Sequence, residues 1–313
     1  MKLGGLGERK IIEKLMNLFG TIVEDDSFYF EFGDSFILVT TDIITKKTHI
    51  PDNVSPEDAG YFFAALNLSD IAAMGGVPLY FMAAYSISRN FDLDYFLRFN
   101  MGIKKCLENY SVKMVGGDTK EGPNFTASGI VIGKTEKNLI MERKNFKPGQ
   151  VVGITNNLGK NGAGYYLWKN GNNNGAKIML DIEPRIIEGR ELVKLGVRAA
   201  MDLSDGVFSS ISQIKKQTGT GFKIFLDQIP IHPLAKDVSK NYNIPIEEIS
   251  LNFGGEYELI FSVPPELWTT VENGMKSRGF SISKIGETWE GENLLISNGK
   301  EIMIYEKGYE HFK

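Results

Sequence analysis

Ser55-Pro56-Glu57-Asp58-Ala59-Gly60-Tyr61-Phe62-Phe63-Ala64-Ala65-Leu66-Asn67-Leu68-Ser69-Asp70-Ile71-Ala72-Ala73-Met74-Gly75-Gly76-Val77-Pro78 decides how the chain is read. Ser55 is placed to cap a helix, Pro56 suits its first position, and Glu57 and Asp58 put acids in its first turn. The helix should run to about Met74 and stop at Gly75-Gly76, with Pro78 beyond. Inside it, Asp70 interrupts an apolar run, and Asp is a poor helix former. Asn67, three residues earlier, and Met74, four later, share its face. A polar stripe on an apolar helix asks for a buried polar partner, and metal or phosphate contact ranks ahead of a structural salt bridge.

Working outward, Glu8 to Phe19 reads as an amphipathic helix with Ile11, Ile12, Leu15, Leu18 and Phe19 on one side. Phe28 to Phe32 and Phe36 to Val39 form a hairpin about Gly33-Asp34-Ser35. After the central helix come a strand at Leu79 to Ile87 and a helix at Asp92 to Asn109. A strand at Val112 to Val115 should end at Gly116-Gly117, and another runs from Thr126 to Ile132. Lys144 to Gln150 breaks both periodicities, so the domains are expected at 1–145 and 146–313. The second half opens with a strand at Val151 to Thr155, a Gly/Asn-rich loop at Asn156 to Gly164, and a polar insertion at Asn170 to Gly175. A helix from Pro184 to Leu195, a strand from Arg198 to Leu203 and a helix starting at Ser204 follow. Strands at Phe222 to Leu226 and Tyr257 to Val263, a helix at Glu266 to Arg278, and strands near Ile282, Leu294 and Ile302 complete it. The fold class is α+β with α/β layers: a mixed sheet flanked by helices, then a C-terminal α/β domain.

Acidic residues recur in turn-like settings, at Glu24-Asp25-Asp26, Thr40-Thr41-Asp42, Asp70, Gly116-Gly117-Asp118-Thr119 and Asp202-Leu203-Ser204-Asp205-Gly206. A carboxylate beside an apolar run is costly unless it caps a helix, pairs, or binds a cation. If the five converge, they form an oxygen-only site suited to Mg²⁺ and a polyphosphate. Taken singly, each has a plainer reading. Asp25-Asp26 is a solvated turn, Asp42 a cap, Gly116-Gly117 an ordinary turn, and Ser204 a helix cap. Gly133-Lys134-Thr135 resembles the end of a phosphate-binding loop, but position 128 is Ser128 instead of the required glycine, and the segment reads as a strand.

The chain of 313 residues carries a formal net charge of −4, which lacks the footprint of a nucleic-acid binder. Its single cysteine, Cys106, excludes an internal disulfide, and three histidines without ligand spacing argue against zinc. No stretch approaches the roughly 18 apolar residues of a membrane span, so neither membrane nor nucleic acid is an expected partner, and a cytoplasmic location is expected.

The ordered motifs resemble the thiamine-monophosphate kinase family, of the superfamily that includes aminoimidazole-ribonucleotide and selenophosphate synthetases. They are Ser55 to Pro78, Gly116-Gly117-Asp118-Thr119, Arg143 with Pro148-Gly149, Asp202 to Gly206, and Gly308-Tyr309-Glu310-His311-Phe312. The resemblance implies transfer of the ATP γ-phosphoryl group to thiamine monophosphate, several Mg²⁺ ions, and a homodimer formed through the first domain's strands. It implies Asp26, Thr40, Thr41, Asp42, Asp70, Asp118, Asp202 and Asp205 as metal residues. Gly117, Asp118, Arg143 and Ser204 would contact ATP, and His49, Glu256 and Tyr309 the acceptor. Catalysis would rest on Asp42, Asp70, Asp118, Arg143 and Asp205. The family often shows Gly-Gly-Glu-Asp-Tyr-Glu-Leu where this chain has Gly254-Gly255-Glu256-Tyr257-Glu258-Leu259, one acid short. That shortage keeps three alternatives in view: a sister synthetase that phosphorylates an amide or acyl oxygen, a phosphohydrolase, and a nucleotide-binding protein without turnover.

Overall fold

A computed structural model describes residues 3–21 and 24–305. The first half contains α1 (Glu8–Phe19), β1 (Phe28–Phe32), β2 (Ser35–Thr45), α2 (Lys46–His49), α3 (Pro56–Ala73), β3 (Val77–Ile87), α4 (Leu93–Asn109), β4 (Lys113–Glu121) and β5 (Thr126–Glu136). The second contains β6 (Val151–Thr155), α5 (Lys160–Lys169), α6 (Asn173–Leu180), α7 (Ile186–Lys194), β7 (Ala199–Asp202) and α8 (Val207–Thr218). It continues through β8 (Gly221–Phe225), α9 (Pro233–Tyr242), α10 (Ile246–Ser250), β9 (Leu259–Val263), α11 (Trp268–Ser277), β10 (Ile282–Trp289), β11 (Leu294–Ser297) and β12 (Lys300–Met303).

The strands build two mixed sheets, ordered β1-β2-β5-β3-β4 and β12-β11-β8-β10-β6-β9-β7. In the first, only β3 and β4 run parallel. Alternation along β2 buries Leu38, Thr40 and Ile44 on the helix side, while Thr41 and Ile43 face outward and are exposed. On β1, Phe28, Phe30 and Phe32 likewise stay exposed.

The central helix, α3, is buried on nearly every side, which is why it is apolar all round. Ser55 caps it, its Oγ accepting the Asp58 N–H at 3.0 Å. Close packing against α4 depends on two glycines. A Cβ on Gly60 would lie 1.8 Å from the Phe99 carbonyl oxygen, and one on Gly102 would lie 2.0 Å from that of Glu57. The other flank of α3 meets the second half of the chain, through α7 and β7. The helix therefore ties the two sheets together.

Several boundaries differ from those read in the sequence. β2 continues past Val39 to Thr45, because its pairing with β5 is unbroken from Ser35 to Thr45. β4 runs through Gly116-Gly117 instead of ending there; Gly117 sits so close to β3 that a Cβ would meet the Ala83 carbonyl oxygen at 1.9 Å. The Gly/Asn-rich loop is short, since α5 already begins at Lys160, and the polar insertion holds most of a helix, α6. Gly164 and Gly175 allow those two helices to touch, and local composition hides that contact. Ser204 does not cap α8, whose cap position is Gly206 at φ 87°. The short helices α9 and α10 carry no signal that stood out in the sequence.

Candidate active site: an acidic centre beside the central helix

Thr40 and Asp42 alternate onto the helix side of β2, where α3 presents Asn67 and Asp70. Asn67 is fixed in place: its Nδ2 donates to the Phe63 carbonyl at 2.8 Å, and its Oδ1 accepts the Asp42 N–H at 3.0 Å. Gly129 on β5 leaves room for it, since a Cβ there would lie 2.4 Å from Asn67 Oδ1. Thr40 donates its hydroxyl to Asp70, and also lies 3.2 Å from the Asp26 carbonyl oxygen. Asp202 arrives at the end of β7, and its Oδ2 accepts the Ser69 hydroxyl at 2.7 Å. Oxygen atoms of Asp26, Asp70 and Asp202 lie within 4.8 Å of one another.

Three carboxylates so close repel strongly. At an effective dielectric near 20, each unit like-charge pair at about 4 Å costs about 4 kcal/mol. The carboxyls respond accordingly. Burial, then Asp205 and Asp26, pushes Asp42 up to about 6. Burial and Asp26 push Asp202 up to about 7, against the Ser69 hydrogen bond. Asp70 rises well above the ordinary carboxylate range through burial and then Asp42. Asp25 reaches about 7, through burial and Asp26.

Among the described residues, Arg143 answers this charge. Arg143 Nη2 meets Asp26 Oδ1 at 2.5 Å and its Nε lies 3.3 Å from Oδ2. The Arg143 backbone N–H approaches Asp25 at 3.3 Å. Burial lowers the guanidinium's affinity for its proton, but Asp26 and Asp25 outweigh it and hold Arg143 above its usual value. Arg143 is thus the partner of Asp26 and has its side chain largely buried. Among the described residues, Asp42, Asp70 and Asp202 form no ion pair, although the Arg143 charge also reaches Asp202. Their all-oxygen donor set and excess negative charge fit hard divalent ions such as Mg²⁺.

The remaining predicted residues are distributed less simply. Asp205 adds its field to Asp42, and its Oδ2 accepts the Gln213 amide at 3.0 Å. Ser204 lies between Asp202 and Asp205, its carbonyl accepting the Gly255 N–H at 2.7 Å. Thr41 points to the opposite face of β2, where its hydroxyl donates to the Gly129 carbonyl at 2.7 Å. Its side chain is therefore not among the groups around Asp70. Asp118 also faces away. It lies in register with Ala84, Ser128 and Ile43, on the outer row, whereas Asp42 lines up with Gly129, Ala83 and Gly117. Three strand spacings, about 14 Å, separate those positions from β2. Asp118 is exposed and pairs with Lys120 at 3.0 Å, which lowers its pKa. Within one chain, neither Asp118 nor Gly117 joins the acidic centre.

Of the acceptor residues, His49 ends α2, its Nδ1 2.7 Å from the Thr48 hydroxyl and accepting the Thr45 N–H at 3.2 Å. Glu256 is turned inward, where its Oε1 accepts backbone N–H groups at the start of α5. Tyr309 lies outside the described residues. Sequence reading passed over Tyr257, which holds a left-handed φ of 52° and packs its ring against Phe62 at 6.2 Å. Burial, then Asp42 and Asp202, holds its hydroxyl well above the usual phenol value. The preceding Gly254-Gly255 pair was the available signal for a strained turn there.

Two family models match the chain: "AIR synthase related protein, N-terminal domain" over residues 24–135, and "AIR synthase related protein, C-terminal domain" over residues 147–296. The thiamine-monophosphate kinase of Pyrococcus horikoshii is 32% identical, covering 92% of this chain and 90% of its own. That of Haemophilus influenzae is 29% identical, covering 98% of both chains. Among solved structures, "AaThiL complexed with AMPPCP and TMP" superposes with a TM-score of 0.88 at 25% identity, over 99% of each chain.

Proposed function

The chain belongs to the AIR synthase related proteins and, within them, to the thiamine-monophosphate kinase family, and from that premise we propose the following reaction and site. The protein transfers the γ-phosphoryl group of ATP to thiamine monophosphate, giving thiamine diphosphate and ADP. The observation that carries this reading is the convergence of Asp26, Asp70 and Asp202, from three distant segments, on one point beside α3.

Asp26, Asp42, Asp70 and Asp202, with Asp205 at the rim, would hold the cations. Mg²⁺ held there would supply charge neutralisation for the phosphates. The chain's own groups fix the geometry. Ser69 orients Asp202, Thr40 orients Asp70, and Asn67 locks the β2 backbone at Asp42. Arg143 holds the Asp26 carboxylate in place through two contacts. The acceptor phosphate is ionised near neutral pH, so no strong base is required, and direct in-line transfer follows from positioning and charge balance.

Residues 1–145 are assigned to cation and nucleotide binding and to dimer contact, and residues 146–313 to completing the acceptor site. The outer face of the first sheet supports a homodimer. It exposes Phe28, Phe30, Phe32, Ile43 and Tyr80, a broad apolar surface beside the fully exposed edge strand β4. In such a dimer Gly117 and Asp118 would serve the partner's nucleotide site. Among the described residues no helix is long and apolar enough to cross a membrane, and we place the enzyme in the cytoplasm, where ATP is made available.

The test is ADP release from Mg–ATP with and without thiamine monophosphate, with the product identified by mass. Acceptor-dependent ADP with matching thiamine diphosphate is expected. ADP that ignores the acceptor would replace this reading with a hydrolase or a sister synthetase.

A further inference from the structure

The turn ahead of β9 links the two halves of the acidic centre. Its backbone is fastened to the segment that carries Asp202 and Asp205. The Gly255 N–H donates to the Ser204 carbonyl at 2.7 Å, and the Tyr257 N–H donates to the Leu203 carbonyl at 3.1 Å. The Glu258 carbonyl accepts the Leu203 N–H at 2.8 Å. The two segments are in close contact, since a Cβ on Gly254 would lie 2.4 Å from the Ser204 carbonyl oxygen. This turn therefore moves with the end of β7.

The Tyr257 side chain leaves the turn in the other direction. It packs against the core of the first half and meets Phe62 of α3 edge to face, with ring centroids 6.2 Å apart and planes at 79°. Phe62 precedes Asp70 by two helical turns, about 12 Å along the axis. Tyr257 reaches it from a φ of 52°. Left-handed backbone is strained for an aromatic residue, and it persists only where the surroundings hold it. The phenol feels acids from both halves: after burial, Asp42 and Asp202 and then Asp70 and Asp205 hold it above its usual value.

These acids need holding. Asp70 belongs to α3 and Asp202 to β7, and their carboxylates repel. The Ser69 hydroxyl on Asp202 is one tie between them, at 2.7 Å. The Tyr257 ring on Phe62 is a second, apolar tie that takes no carboxylate oxygen away from a ligand. We propose that Tyr257 is a positioning residue for the cation site: its ring, set against Phe62, holds Asp202 at the spacing from Asp70 that a divalent ion requires. The inference rests on the reading of the acidic centre as a cation site and is independent of which acceptor is phosphorylated.

The experiment is calorimetric titration of the full chain with Mg²⁺ alone, without nucleotide, with Tm measured alongside. Tyr257→Phe keeps the ring and should bind Mg²⁺ within about twofold of the unaltered protein. Tyr257→Asn suits the left-handed backbone but is too short to reach Phe62, and it should weaken binding at least about tenfold. Phe62→Leu leaves the turn untouched and should weaken binding in the same direction. Combining the two should add little, as expected for two sides of one contact. If Tyr257→Asn does not fold, Phe62→Leu decides. A lower Tm with unchanged Mg²⁺ affinity in these variants would make the contact structural only and overturn the proposal. A loss in Tyr257→Phe equal to that in Tyr257→Asn would move the role to the hydroxyl and overturn it too. If the unaltered protein binds no Mg²⁺, the cation site falls and the proposal with it, whereas binding that the variants leave intact removes the proposal alone. ADP release is read separately and tests the kinase reading independently.

Discussion

Asp70 sits where three like charges meet, and its carboxylate is the feature an isosteric amide removes most cleanly. Asp70→Asn should reduce turnover at least about a hundredfold while the fold persists, because loss of a buried like charge relieves repulsion. Near-normal activity with native circular dichroism would take Asp70 out of the site. The same charges set a pH dependence. Asp42, Asp202 and Asp25 are held at about 6 to 7 in the fold, above their unfolded value of 3.8. Folded chains therefore retain protons that unfolded chains release. Without metal, stability is fullest below the unfolded value and declines as pH rises through the folded values. Mg²⁺ should raise Tm little at about pH 5 and distinctly more at about pH 8, where the carboxylates are ionised. An equal rise at both would sever the link between cation binding and these groups. Residue chemistry was only partly legible. Thr41 and Asp42 are adjacent in sequence, yet only strand alternation decides that one faces the acidic centre and the other the outer sheet face. Glu256 looked like a ligand acid, but its first role is to cap α5, a contact made across nearly a hundred residues.

At the scale of elements, α3 was the most readable because its signals are local. Its cap, its first-turn acids and its terminal glycines act within a few residues of each end. Its closeness to α4 depends instead on Gly60 and Gly102, which nothing nearby in sequence requires. Gly60→Ala would drive a methyl group into the Phe99 carbonyl and force the helices apart. A loss of about 2–3 kcal/mol is expected in denaturant unfolding. A loss of only a few tenths would mean that the crossing adjusts freely. β4 shows the opposite case. Gly116-Gly117 resembles a strand end, yet parallel pairing with β3 carries the strand through it, and the glycine answers to a neighbouring backbone rather than to a turn.

For the whole molecule, the outer face of the first sheet presents an exposed apolar surface among the described residues. Ile43, 59% exposed on that face, contributes nothing to the chain's own core. Ile43→Glu should leave Tm of the monomer fold intact, shift sedimentation from dimer to monomer, and lower turnover about a hundredfold if Asp118 acts across the interface. A fully active monomer would remove the interface from the site. Sequence by itself determined the two-part α+β architecture, the central helix, and the acidic residues from which the proposed site is drawn. These follow from local periodicity, capping and the cost of burying carboxylates. Only the tertiary structure decided which of those acids meet. Asp26, Asp70 and Asp202 converge because the segment ahead of β1, the helix α3 and the end of β7 meet, while Asp118 is carried to the opposite face by strand register. Convergence depends on contacts between segments far apart in the chain, and no local pattern encodes a distance of that kind.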